Sequence, residues 1–337
     1  MKRTMKAAQI TKYSKQIKAQ VNTIEIPDIA DHEVLVKVKA AAVNPLEMLI
    51  MTGSVKFIQD YNFPLTIGNE LAGVIENVGK NVHGFQVGDD IYTRLPLNKI
   101  GAFAEYVAVD AGAIAHMPKN LSYAEASAVA LTGLTAYQGL HEELEAKSGQ
   151  SVFIPGGSGS FGQIAVPIAK DMGLQVIVSG NAQTRERTLQ IGADRYLDYT
   201  KENYVDVLSQ IDYVIDTLGA EEFDNELQIM KPGGRLLSLR TGPNKRFAED
   251  QGFPWWKQKL FGAVGAKFDK KAKQKDIEYR FIFVRSDGTQ LKKITGIVEK
   301  NDIVPLLHPQ SFTLNDINKA LELVANGRPK GKVIIQF

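Results

Sequence analysis

No cysteine occurs among the 337 residues, which excludes disulfides and thiolate metal sites without naming a compartment. No uninterrupted apolar run approaches bilayer-spanning length. The basic start, Met1 to Lys6, leads into mixed polar sequence with no apolar signal core. The expectation is a cytoplasmic protein that is not integral to a membrane. Charge of one sign is also scarce: 40 Lys+Arg stand against 38 Asp+Glu, a net +2, so there is no broad basic field to bind nucleic acid by neutralising phosphates. Internal repeats and low-complexity linkers are absent. What is present, 44% hydrophobic and 23% charged residues in a chain long enough for two domains, is ordinary for a globular protein.

Between Val152 and Gly162 an apolar run breaks into a G-x-G-x-x-G turn at Gly157, Gly159 and Gly162, then restarts with helical spacing. A lone G-x-G-x-x-G also occurs in ordinary βα loops, so context decides. Here Ser151 to Ile154 reads as a buried strand and Phe161 to Met172 as a helix closed by Gly173. The next strand runs from Leu174 to Ser179. In such a unit the first glycine allows the tight turn, the second lets backbone approach a pyrophosphate, and the third lets the helix pack closely. Gly156, Gly157, Ser158, Gly159, Ser160, Phe161 and Gly162 are therefore candidate dinucleotide-binding residues. Pro167 falls past the first helical turn and is expected to kink the helix or cost it a hydrogen bond.

A site for NAD usually carries an acid about twenty residues after the first glycine, for the ribose 2′-hydroxyl. This chain has none between Val178 and Thr184. Ser179, Gly180, Asn181 and Arg185 suit a 2′-phosphate, which wants charge-assisted donors and is repelled by carboxylates. NADPH is the expected cofactor. The alternative is that Arg185 and Arg187 are solvated residues of the next helix, a reading that suits Arg187 at least as well.

The first third has another texture. Glu33 to Lys39 alternates as a strand with one drier face, and β-rich pieces follow at 71–78, 90–93 and 102–109. From about Ala124 strands and helices alternate: a helical stretch from Ala124 to Glu145, the glycine turn, then 175–179, 184–191, 213–217, 223–230 and 235–239. The expected fold class is α/β, a doubly wound parallel sheet domain beside a mainly antiparallel β domain. The expected boundaries are 1–127, 128–285 and a return over 286–337.

Several motifs in order carry a resemblance. They are Ala42 to Leu46, Gly68-Asn69-Glu70, Gly79, Val87-Gly88-Asp89, Leu134 to Tyr137, the glycine turn, Gly192-Ala193-Asp194, Asp216 to Gly219, Lys231 to Gly234 and Gly331-Lys332-Val333. Over nearly the whole chain this resembles the medium-chain dehydrogenase/reductases, most of all their zinc-free quinone oxidoreductase-like branch. The resemblance implies a GroES-like domain built from the N-terminal part and the C-terminal tail, a Rossmann domain between them, a nicotinamide cleft at their junction, and a homodimer.

In zinc-dependent members a Cys, a His and a later Cys hold the metal. The matching positions here are Asn44, Asn69 and Leu131, not a competent ligand set, so no zinc is expected. His141-Glu142 begins an incomplete H-E-x-x-H and reads as a solvated helix face. His32, His83, His116 and His308 stand alone. Without a metal the acceptor has to take hydride by itself. A quinone or an α,β-unsaturated carbonyl does so, because charge moves to an oxygen that one hydrogen bond or water stabilises.

The resemblance places Asn44 beside the nicotinamide as a positioning residue and Thr135 in the same cleft. The alternatives are a turn-capping Asn and a helix Thr bonded to its own backbone. It puts Tyr199 on the adenosine side, with buried packing as the alternative, and Leu218, Arg240 and Thr241 near the nicotinamide half. Tyr279 to Val284 resembles the strand that joins the dimer sheet, with Phe283 and Val284 laid against the carboxamide. Leu49 stands where many quinone reductases carry a tyrosine, so no general acid is assigned and protonation falls to solvent. Leu49, Tyr61, Phe63, Trp255 and Phe283 are candidate pocket residues. The long basic segment 253–275 reads either as a pocket cover with solvated lysines or as a surface for a membrane or partner. Three functions stand: an NADPH-dependent quinone or enone reductase, an enoyl-thioester reductase, and a sensor that binds NADPH without turnover.

Overall fold

Alternating apolar residues from Val34 make a strand whose valines 34, 36 and 38 are buried while Lys37 is exposed. In the computed structural model, which describes residues 3–327 and 329–337, this strand is the spine of one of two units, Met1–Leu134 with Arg285–Phe337; the other is Thr135–Val284. In chain order the first unit supplies β1 (Thr4–Ile10), β2 (Gln20–Glu25), β3 (Glu33–Val43), α1 (Pro45–Met51), β4 (Leu65–Thr66), β5 (Glu70–Val78), β6 (Asp90–Arg94), β7 (Tyr106–Asp110), β8 (Ile114–His116) and α2 (Tyr123–Ser127). Helix α3 (Ala130–Gln138) leads into the second unit. There follow β9 (Ser151–Ile154), α4 (Gly162–Asp171), β10 (Gln175–Gly180), α5 (Arg185–Gln190), β11 (Arg195–Asp198), α6 (Tyr204–Val207), β12 (Ile211–Asp216), α7 (Phe223–Ile229), β13 (Met230–Ser238), α8 (Lys245–Asp250), α9 (Trp255–Gln274) and β14 (Glu278–Phe281). The chain then returns through α10 (Gly288–Lys300), β15 (Phe312–Thr313), α11 (Ile317–Asn326) and β16 (Val333–Gln336).

The first unit carries a largely antiparallel sheet in the order β15-β16-β3-β5-β6-β8, with β7 also paired to β3, and a small sheet β2-β1-β4. Its core joins Val36, Val38, Leu71, Ile75 and Phe103 to Ile317, Leu321 and Val333 of the returning tail. The register sets Val333 opposite Val43. That pairing brings residue 332 next to residue 44.

The second unit is a six-stranded parallel sheet in the order β11-β10-β9-β12-β13-β14. This is the doubly wound order: the chain winds outward from β9 through β10 and β11, then restarts on the other side with β12. The β9/β12 boundary is the switch point, where crevices open at the carboxyl ends of strands. The α/β expectation is met by these two sheets.

Three local expectations change, and one at Pro167 holds. The helix expected from Ala124 to Glu145 is broken after Ser127, and its far end widens into a π-turn in which the Leu144 N–H reaches back to the Gly139 carbonyl. The strand expected over 102–109 begins only at Tyr106, because Phe103 turns its N–H to the Ile67 carbonyl and its own carbonyl to the Ala8 N–H. The strand expected over 279–284 ends at Phe281. Pro167 lies within α4, which continues through it at the cost of the amide bond it cannot donate. Among the described residues no helix is long and apolar enough to cross a membrane.

Candidate functional site

In the second unit β9 delivers the chain into a bend over 155–161 that is fastened on both sides. The Gly156 N–H donates to Ser179 Oγ at 3.2 Å, tying the bend to the end of β10, and Thr217 Oγ1 donates to the Pro155 carbonyl at 2.6 Å, tying it to the end of β12. The left-handed residue of the turn is Gly156, at φ +65°, not Gly157; a Cβ there would also lie 2.8 Å from Leu218. Gly162 is required for another reason: its Cβ would fall 1.6 Å from the Gly157 carbonyl oxygen, so the helix packs on the turn itself. Gly159 differs, since its Cβ would meet only the Gly156 oxygen at 3.8 Å. That open side, next to the N-terminus of α4, is the room a diphosphate needs. Ser158 completes the cradle against Gly180, and Ser160 and Phe161 lead into α4. The residues present therefore fit a dinucleotide.

The adenosine-side candidates lie at the end of β10 and beyond. Ser179 is buried, with its hydroxyl engaged by Gly156. Asn181 caps the following turn, its Oδ1 accepting from the Gln183 and Thr184 amides. Arg185 is exposed, stands over the Tyr196 ring and donates one N–H to the Tyr196 carbonyl at 3.1 Å. The register sets Asp198 opposite Gly180, but Thr200 occupies its Oδ1 through backbone and hydroxyl bonds. Tyr199 is 65% exposed, which removes the buried-packing alternative.

Sequence reasoning quoted Asp216 in a motif and gave it no role. The structure makes it the hinge-pin of two loops. Its Oδ1 accepts from the Leu218 and Gly219 amides at 2.8 and 2.7 Å, and its Oδ2 from the Ser238 and Thr241 hydroxyls at 2.5 and 3.1 Å. Leu218, Arg240 and Thr241 are thus placed by one fully buried carboxylate at the end of β12. Beneath it Glu226 is fully buried, and neither carboxyl oxygen has a partner. Burial, then Asp216 and Glu222, push its pKa up to about 10. Phe283 is half-buried and Val284 buried just after β14.

In the first unit two of the three positions matched to zinc ligands meet one carboxylate. Glu70, at the start of β5, accepts from Asn44 Nδ2 at 2.9 Å and from the Leu131 amide at 2.6 Å, and Lys332 Nζ lies 3.0 Å away. The same ammonium bonds Asn44 Oδ1 and Thr132 Oγ1. Asn69 donates to Glu47 Oε1 at 2.7 Å, while Glu47 Oε2 takes the Asn44 N–H. Asn44, Glu47, Asn69, Glu70, Thr132 and Lys332 are all buried. Burial pushes Glu47 up to about 7 against the amides that favour its charge, and pushes the enclosed Arg94 down to about 10. Asn44 is the N-cap of α1, boxed with Glu47 as the turn-capping alternative has it, and its side chain also meets Glu70 and Lys332. Lys332 was legible only as part of a C-terminal motif, because its partners lie some 200 to 288 residues away.

Residues 30–119 match the family described as "Alcohol dehydrogenase GroES-like domain", and residues 191–335 the one described as "Zinc-binding dehydrogenase". The chain is 31% identical to the 2-methylene-furan-3-one reductase of Solanum lycopersicum, over 98% of this chain and 79% of that one. It is 32% identical to the human quinone oxidoreductase, over 64% of this chain and 66% of that protein. A crystal structure of an alcohol dehydrogenase superfamily protein from Novosphingobium aromaticivorans has a TM-score of 0.83 at 26% identity, covering 99% of each chain. The chain belongs to the medium-chain dehydrogenase/reductase superfamily, in its quinone oxidoreductase-like branch.

For a member of that superfamily the first unit is the GroES-like domain and the second the Rossmann domain. Asn44, Leu49 and Tyr61 lie in the former, and Thr135, Trp255 and Phe283 in the latter. Tyr61 is buried with its hydroxyl unpartnered, and burial pushes its pKa up to about 12. Leu49 is exposed, and Trp255, expected to wall a pocket, is 68% exposed. Among the described residues no group of three His, Asp or Glu side chains converges as a metal site; His141 stacks on Tyr137 with centroids 4.1 Å apart.

Proposed function

We propose that this chain is an NADPH-dependent reductase that delivers hydride to a quinone or an α,β-unsaturated carbonyl without a metal. The observation that carries the reading is the bend clamped between β10 and β12 with its Gly159 side open, followed by a β10 end that carries no carboxylate of its own. Gly156 to Gly162 hold the pyrophosphate. Ser179, Gly180 and Asn181 shape the pocket for the 2′-phosphate, and Arg185, with most of its donors still available, supplies the charge. Tyr199 lies on the adenosine side, and Thr135, Leu218, Arg240, Thr241, Phe283 and Val284 on the nicotinamide side; Asn44 is the positioning residue contributed by the GroES-like domain.

When bound, the reduced nicotinamide supplies the hydride. Asp216 fixes the two loops that orient the ring, and Lys332 and Glu70 fix Asn44. Leu49 and Tyr61 are the acceptor contacts assigned to the GroES-like domain and Phe283 the one assigned to the Rossmann domain; no side chain is assigned the final proton, which comes from solvent. Zinc does not fit the donor set. Amides occupy two of the three positions, a leucine the third, and an ammonium already balances Glu70. The named relatives, a furanone reductase and a quinone oxidoreductase, support conjugated acceptors. β14, the edge strand of the parallel sheet, is the surface for a homodimer.

Loss of NADPH absorbance with a panel of quinones, enones and crotonyl thioester tests the reading, run with and without chelator. Turnover of quinones or enones, preferred with NADPH over NADH and unchanged by chelation, is expected. Preference for the thioester would assign the chain to the enoyl reductases. Oxidation by none of them would leave a nucleotide-binding protein, and activity lost to chelation and restored by zinc would overturn the mechanism.

A further inference from the structure

We propose that helix α9 docks the protein on an anionic lipid surface. The helix uses one face for its own packing: Phe261, Gly265, Phe268 and Ala272 are buried, with Phe268 against Phe223 and Tyr279 and Phe261 against Phe247. A second apolar row serves no such purpose. Trp256, Leu260 and Val264, four residues apart and so aligned along the helix, are 47%, 37% and 50% exposed, beside Trp255 at 68%. An aligned exposed row of this kind marks an interaction surface.

Charge identifies the occupant. The helix carries six lysines against one aspartate, on a chain whose total is +2, and Asp269 is taken by Asn244 at 2.8 Å. Lys257 stands over the Phe253 and Trp256 rings and Lys259 over the Trp255 ring. Lys267 and Lys271 continue the row three and seven residues past Val264; Lys271 also reaches Asp224 at 2.6 Å. Tryptophans with an apolar body and a polar N–H, followed by lysines that extend apolar stems and keep their charge in water, suit the boundary between acyl chains and acidic headgroups. A second copy meeting this surface about a two-fold axis would set like-charged helices against each other, which disfavours self-association here. The inference does not depend on which acceptor takes the hydride.

The chain has two tryptophans, and both lie at the start of this helix, so emission of the whole protein reports this surface alone. Full-length protein titrated with vesicles of equal parts phosphatidylglycerol and phosphatidylcholine should blue-shift and co-sediment, and both effects should weaken as salt rises. Vesicles of phosphatidylcholine alone should give little response. Lys257→Glu with Lys259→Glu and Lys267→Glu, checked for native circular dichroism, should bind anionic vesicles roughly a hundredfold more weakly. No shift with anionic vesicles, or an equal response to neutral ones, overturns the proposal. So does emission that is blue without lipid and reverts on dilution, which would mean that a second copy covers the row.

Discussion

Lys332 places its ammonium 3.0 Å from the carboxylate of Glu70, joining the last strand of the chain to the start of β5 inside a site where Glu70 is fully buried. The pair holds Asn44 between its charges. Removing one member leaves the other buried without a counter-charge, a loss of about 3–5 kcal/mol, whereas removing both costs less than the sum. Urea denaturation of Lys332→Met, Glu70→Gln and the double variant measures this. Equal, additive and small effects would show that the pair is not coupled.

The pH dependence of stability has a definite source at Glu226. Its folded pKa is raised from 4.5 to about 10, so the stability it permits is fully present below pH 4.5 and falls progressively as pH rises toward 10. Glu226→Gln carries no such penalty. The variant should be more stable than the parent at pH 7, by up to about 3 kcal/mol, and the advantage should vanish near pH 4.5. Denaturant midpoints taken across that interval test it; a difference independent of pH would contradict the burial argument.

Two glycines of one motif should fail in different ways. Gly162→Ala drives a methyl into the Gly157 carbonyl and should destabilise the Rossmann domain itself. Gly159→Ala meets open space, so thermal stability should hold, while the methyl occupies room reserved for pyrophosphate and the Kd for NADPH rises at least about tenfold. Calorimetric titration beside thermal melts distinguishes the two, and equal melting losses would remove the basis for calling Gly159 a ligand position.

The proposed 2′-phosphate contact makes Arg185 the residue that should separate NADPH from NADH. Arg185→Ala should raise KM for NADPH about tenfold while leaving that for NADH nearly unchanged, because only the former carries the 2′-phosphate. A parallel rise for both would mean that the side chain serves only to brace Tyr196.

Local chemistry made much of this protein legible. The β9-turn-α4 unit, the absent acid after β10 and the two textures of the chain follow from steric demands and hydrophobic periods that act over a few residues. Where the reading slipped, the cause was a distant partner: Phe103 was drawn out of its strand by Ala8 and Ile67, and the left-handed turn residue proved to be Gly156, which packs against Leu218.

By itself, then, the sequence determined an α/β chain with a glycine bend shaped for a diphosphate and amides where relatives of another branch carry zinc ligands. Only the tertiary structure decided that Asp216 secures two loops, that Glu226 lies buried beneath it, and that Lys332 answers Glu70. Those interactions join residues far apart in the chain, and a carboxylate's neighbours and dielectric surroundings exist only after strands from different regions pair. Short-range patterns specify backbone shape, whereas buried charges acquire their partners through the fold.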